Sequence, residues 1–160
     1  MNTSNDILIR RFEHGDAMEV SRLIIDNLML VNAVDYGEAA VKQLALFYSP
    51  EWILRYAQSS ETYVVEVRSE IIGTATLDQE RVRSVFVRID HQRRGIGKLL
   101  MRHVEEAASR QNITRVVLLA NVGAVDFYRS LGYVQGERRE IEVGDALITV
   151  VAMEKTLLKR

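Results

Sequence analysis

Arg83-Ser84-Val85-Phe86-Val87-Arg88-Ile89-Asp90-His91-Gln92-Arg93-Arg94-Gly95-Ile96-Gly97-Lys98-Leu99-Leu100-Met101-Arg102-His103-Val104-Glu105-Glu106-Ala107-Ala108 changes character twice. Residues 82–87 are apolar and β-branched, with Arg83 interrupting and Phe86 adding bulk, which predicts a strand. Ile96, Leu99, Leu100, Val104, Ala107 and Ala108 recur in steps of three and four, which predicts a helix with one buried side. Between them, residues 92–98 set two glycines and three cations where that helix begins.

Such a turn suits an anion. The first backbone N–H groups of a helix have no intrahelical acceptor, and the helix dipole adds positive potential there. Gly95 and Gly97 let a phosphate come close to those groups, while Arg93, Arg94 and Lys98 raise the local potential. A basic, solvated helix start with glycines for turning is the plainer alternative. Two phosphate motifs fail here. A magnesium-binding phosphate loop needs Ser or Thr after Gly-Lys, where Leu99 stands, and a dinucleotide fingerprint needs a third glycine where Leu100 stands.

Outward from this stretch, residues 7–12 alternate apolar and basic and predict a first strand. A helix over 17–30 follows from Val20, Leu23, Ile24, Leu28 and Val31, with a loop over 32–37 that holds Asp35 and Tyr36. Ala40, Val41, Leu44, Ala45 and Tyr48 predict a second helix. Ser49-Pro50-Glu51 restarts a third, with serine as N-cap and Trp52, Ile53, Tyr56 and Ala57 inward. Strands over 62–67 and 71–77 form a hairpin through Arg68-Ser69-Glu70, with a bulge expected near Gly73. Beyond the central helix, 115–120 reads as a strand buried on both faces. Ala124, Phe127, Tyr128 and Leu131 predict a last helix closed by Gly132, before strands over 133–143 and 147–155.

The segment after the buried strand reads Asn121-Val122-Gly123-Ala124-Val125-Asp126-Phe127-Tyr128-Arg129-Ser130-Leu131-Gly132-Tyr133. It resembles one motif of the GNAT superfamily of N-acetyltransferases, Asn-x-x-Ala-x-x-x-Tyr-x-x-x-Gly-Phe/Tyr. Gln92, Gly95 and Gly97 resemble the other, Gln/Arg-x-x-Gly-x-Gly/Ala. The order of elements from Ile7 to Leu157 is also similar to that family's. The resemblance implies one domain over 1–160 with an α/β (α+β) fold, a mixed and mostly antiparallel sheet flanked by helices on both faces.

The resemblance also implies acetyl-coenzyme A as cosubstrate and an amine of a small molecule or peptide as acceptor, attacked directly in a ternary complex. It gives the pyrophosphate to Gln92, Arg93, Arg94, Gly95, Ile96, Gly97 and Lys98. Backbone groups of Val85, Phe86 and Val87 fall to the pantetheine arm, with Asn121 on the pantetheine or substrate side and Tyr128 near the sulfur. A phenol can protonate a leaving thiolate, so Tyr128 is the candidate general acid. Its alternative is a core tyrosine of an amphipathic helix. The general base stays unassigned, because residues 81–89 hold no carboxylate, while Asp78, Glu80 and Asp90 read as turn residues. Ile89 stands where the family often has proline. Trp52, Tyr56, Asp35 and Tyr36 lie where the family covers its acceptor cleft, or else serve as core aromatics and loop polars. A non-catalytic acyl-coenzyme A binding or sensing module is the alternative function.

Composition narrows the classes. A net charge of −1 gives no global field for nucleic acid, and the absence of cysteine removes thiol nucleophiles, disulfides and cysteine-ligated zinc. Three scattered histidines have no metal spacing, and His103 reads as a packed or rim residue. No Gly-x-Ser-x-Gly elbow supports a serine hydrolase. Without an apolar leader or a bilayer-length apolar run, a cytoplasmic location and no membrane partner are the default expectations. Dimers are common in the family, and the sequence leaves that open.

Overall fold

In the computed structural model, which describes residues 6–158, the apolar β-branched runs pair into one seven-stranded sheet. β1 (Ile7–Arg11), β2 (Glu61–Val67), β3 (Glu70–Asp78) and β4 (Arg81–Val87) are successive antiparallel neighbours. β5 (Arg115–Asn121) lies parallel to β4, the pairing that a helical crossover permits. β7 (Ala146–Thr156) then sits between β5 and β6 (Val134–Val143), antiparallel to both, so the sheet is mixed and mostly antiparallel.

Both faces are covered. Six helices are described: α1 (Ala17–Asn27), α2 (Ala33–Tyr36), α3 (Glu38–Leu46), α4 (Pro50–Ser59), α5 (Ile96–Arg110) and α6 (Val125–Ser130). On one face α5 buries Ile96, Leu100, Met101, Val104, Ala107 and Ala108 against Val65, Ile72 and Val116 of the sheet. At 3.6 residues per turn this buried arc spans about 140°, and Leu99 falls about 60° outside it. Met101 therefore takes the core position expected of Leu99, which is only half-buried. On the other face Val20, Leu23, Ile24 and Leu28 join Val41 and Ile53 over Val64 and Ile71, while Ala40 packs on Val143, Ile148 and Val150.

Two further expectations are corrected. The loop over 32–37 is helical almost throughout: α1 passes into a π-helical turn, Leu28–Asn32, then into α2, and the path breaks only at Gly37, φ 84°. The buried Asn27 sits at the start of that irregularity. Its side-chain amide donates to Leu23 O and to Val87 O, both at 3.0 Å, and a side chain inserted into the helical ladder is a known source of such widening. The second correction is β5, which is buried on one face only. Val116, Leu118 and Ala120 are in the core, whereas Leu119 is 48% exposed. Leu119 opens on the space left where β4 and β5 part.

Other local readings hold for stated reasons. Ser49 Oγ accepts from Trp52 N at 3.2 Å and starts α4. Arg68 and Ser69, φ 51° and 65°, form a two-residue turn that matches strand twist, and Glu70 already belongs to β3. The register steps from Val65↔Gly73 to Glu66↔Ile71, leaving Ile72 as the extra residue of a bulge beside Gly73.

Candidate active site

The site begins with a defect in the sheet. Thr76 pairs with Arg83 and Thr74 with Phe86, three steps along β4 against two along β3. Ser84 and Val85 therefore form a bulge, with Ser84 at φ 55°, and β4 bends there. On its other side β4 keeps one registered pair with β5, Arg81↔Val117, next to a 2.9 Å bond from Val117 N to Glu80 O. Beyond that pair the strands separate around a cleft of about 960 Å³. Val85, Phe86 and Val87 line one side, and Asn121, Phe127 and Tyr128 line the other.

The glycine turn forms the cleft's floor. Gly95 precedes α5 in a left-handed conformation, φ 83°, where side chains are strained, and no side chain caps the helix. The first-turn N–H groups are thus left without a side-chain acceptor. Gly97 is small for a different reason: a Cβ there would meet Phe127 Cζ at 3.0 Å, so the ring lies directly on the turn. Arg93, Arg94 and Lys98 are exposed and, among the described residues, form no ion pair. Ile96 is different, since it borders the cleft with its side chain buried in the core. Gln92 also differs from its cationic neighbours. Its Nε2 donates to Asn27 Oδ1 at 2.9 Å and to Val87 O at 3.0 Å, so the amide ties the end of β4 to the π-helical turn.

Tyr128 stands on α6, with Phe127 and Tyr133 edge-on at 5.0 and 5.7 Å. It is 8% exposed and lines the cleft; its hydroxyl enters no side-chain hydrogen bond among the described residues, and since no buried polar side-chain atom among them lacks a partner, that hydroxyl opens on the cleft. Burial pushes its phenol well above the ordinary value, and Tyr36 adds to the rise. Tyr36 itself is pushed up to about 12, first by burial and then by Tyr48 and Asp35. Both phenols therefore stay protonated at neutral pH. Asn121 accepts from Gly123 N at 2.8 Å, capping the 3₁₀ turn Val122–Ala124 that leads into α6. Asp35 Oδ2 lies 2.8 Å from where a Cβ on Gly123 would sit, so the end of α2 rests on this turn.

A second groove, about 840 Å³, lies beside the first, and Tyr48, Val82, Arg83, Ser84, Leu118 and Leu119 line both. The two grooves thus meet where β4 and β5 part. Trp52 and Tyr56 stack at 4.9 Å and 22° along the second groove, and Tyr56 donates to Asp78 Oδ2 at 3.1 Å. The Tyr48 and Ser84 hydroxyls share a 3.3 Å hydrogen bond at the junction. No carboxylate lines both grooves among the described residues. Asp90 is engaged by Arg88 Nε at 2.7 Å, which holds its carboxyl below the usual range, and Glu154 pairs with Arg115 at 3.0 Å. His103 packs edge-on against Tyr63 at 4.7 Å and lines neither groove. Among the described residues, no three acidic or histidine side chains cluster as metal ligands. No described helix is long and apolar enough to cross a membrane.

Four contributors escaped sequence reasoning. Tyr48 and Phe127 looked like ordinary helix-face aromatics, and Ser84 was simply one residue of the central strand. Asn27 did leave a trace, as a lone amide inside the apolar stripe Leu23, Ile24, Leu28.

Residues 32–157 match the acetyltransferase (GNAT) domain, and the chain belongs to that family. It is similar to YafP, an uncharacterized N-acetyltransferase of Escherichia coli strain K12, at 19% identity over 91% of this chain and 93% of the relative. Its fold is similar to that of a GCN5-related N-acetyltransferase from Rhodopseudomonas palustris, with TM-score 0.89 and 19% identity over 94% and 95% of the two chains. It is also similar to the PaiA N-acetyltransferase of Thermoplasma acidophilum, solved in complex with coenzyme A. There the TM-score is 0.76 and the identity 18%, over 94% of this chain and 99% of that one.

Proposed function

We propose that this chain is a single N-acetyltransferase domain that moves the acetyl group of acetyl-coenzyme A to an amine. The observation that carries this reading is the pairing of an uncapped glycine turn with an unpartnered tyrosine hydroxyl in one cleft. The 92–98 turn would hold the pyrophosphate through backbone N–H groups, with Arg93, Arg94 and Lys98 neutralising charge. The edge of β4 freed by the splay offers the Val85 backbone and the Val87 N–H for the pantetheine amides, since the Val87 carbonyl is already taken by Asn27 and Gln92. Phe86, paired with Thr74 of β3, lines the cleft. Asn121 would steady the same arm. Gln92 contributes as a strut, since its side-chain amide is already engaged.

In the reaction, the amine nitrogen bonds to the thioester carbonyl carbon and the carbon–sulfur bond breaks. Tyr128 donates its proton toward the leaving sulfur, the proton lost by nitrogen goes to solvent through the second groove, and solvent returns one proton to the Tyr128 oxygen before the next turnover. Burial makes the Tyr128 phenolate costly, so the phenol acts first as a hydrogen-bond donor to developing negative charge. With no carboxylate lining both grooves among the described residues, the acceptor's ammonium loses its proton to solvent before it attacks.

A thiol-release screen across amino acids, polyamines, aminoglycosides and peptide N-termini tests the reading. Turnover with at least one class is the expected result. Coenzyme A binding without turnover for any of them would favour a binding or sensing module instead. Direct attack also makes a negative prediction. Intact-mass measurement after incubation with acetyl-coenzyme A alone should show no stoichiometric acetylation, and a competent acetyl-enzyme would overturn the ternary-complex route.

A further inference from the structure

Only one charged side chain, Arg83, lines both grooves among the described residues. Val82 is buried in the core against α5, so alternation along β4 sends Arg83 to the opposite face, just before the Ser84 bulge. Its charge acts on the Tyr48 and Tyr56 phenols, offsetting part of the rise that burial imposes on them. Arg10, Arg88, Arg115 and Arg129 are each paired with a carboxylate. Arg83 has no such partner among the described residues. The groove's glutamates, Glu80, Glu137 and Glu154, do not reach the junction, and Glu154 is held by Arg115.

A free guanidinium at the point where an amine must enter has two chemical consequences. It repels an ammonium and disfavours acceptors carrying several positive charges. It also offers a planar fork to a carboxylate, which binds it in two parallel hydrogen bonds. The neighbouring wall is apolar and aromatic, formed by the Trp52–Tyr56 stack, Phe47 and Leu119. An α-amino acid keeps its carboxylate one carbon from its nitrogen, so Arg83 could hold the one while the other faces the junction.

We propose that the acceptor is a carboxylate-bearing amine, an α-amino acid with an apolar or aromatic side chain, whose carboxylate is held by Arg83 and whose side chain lies along Trp52 and Tyr56. This rests on the acetyltransferase reading above, and the two can fail separately.

Trp52 is the chain's single tryptophan and lies in the groove, so its fluorescence reports occupancy without requiring turnover. Protein saturated with coenzyme A is titrated with N-acetylphenylalanine and with N-acetylphenethylamine, which differs by lacking the carboxylate. The acid should bind about 10- to 50-fold more tightly, the range of one well-placed hydrogen-bonded charge pair. Arg83→Gln should erase that preference, and Arg83→Lys should keep part of it. In turnover, phenylalanine should exceed both phenethylamine and spermidine. Equal binding of the two ligands by the intact protein, or a preference that survives in Arg83→Gln, would overturn the proposal. Because the first comparison uses the unmodified chain, it stands even if a variant fails to fold. Preference for the acid without turnover of any amine would support the anion site and count against acetyl transfer.

Discussion

Tyr128→Phe is expected to lower turnover by about 10²–10⁴-fold, the range for loss of a positioned proton donor. The substitution keeps the ring, and with it the edge-on packing against Phe127 and Tyr133. Its hydroxyl opens on the cleft and the substitution breaks no side-chain hydrogen bond among the described residues, so stability should stay within about 0.5 kcal/mol of the parent. Coenzyme A affinity should also change little, because the cations and N–H groups of the 92–98 turn are contributed by other residues. The measurement is turnover under conditions where chemistry limits the rate, with calorimetric coenzyme A titration on the same sample. A phenylalanine variant that turns over at the parent rate removes Tyr128 from the mechanism.

Gly95→Val should weaken coenzyme A binding by about 10²–10³-fold. Two costs combine. Gly95 holds φ 83°, and a β-branched residue there is strained by roughly 1–3 kcal/mol, which the turn can relieve by rotating its N–H groups away from the phosphates. Each charge-assisted hydrogen bond so lost is worth about 1.5–3 kcal/mol. A Cβ on Gly95 would meet nothing within 4 Å, so the core beneath should stay intact and the thermal midpoint should fall only modestly. Parent-like affinity would show that the turn does not hold the cofactor. Collapse of the fold would contradict the open space around the site.

Much of the architecture was legible because its causes are local. Steps of three and four along 96–108 require a buried helix face, and alternation with β-branched residues requires strands. Gly95 and Gly97 flanked by Arg93, Arg94 and Lys98 point to an anion site wherever the turn lies in space. Asn121, Ala124, Tyr128, Gly132 and Tyr133 form a pattern of fixed spacing, which is also a one-dimensional property.

What escaped depends on contacts between distant residues. The helix through 28–36 hinges on Asn27 reaching Val87, 60 positions away, and periodicity carries no record of such a bond. Leu119 is exposed because β4 leaves β5 after one pair, and a strand's burial is set by its neighbours, not by its own residues. Gln92 shares its motif with the cationic turn, yet its amide bonds inward to Asn27 and Val87. Arg83 read as an interruption in an apolar strand. Only when Ser84 bulges and the two strands part does that cation come to stand alone between two grooves. The sequence by itself determined the order of elements, the family pattern and the glycine turn, because these follow from spacing along the chain. The tertiary structure alone decided which side chains face the open junction, because that depends on where the pairing between β4 and β5 stops.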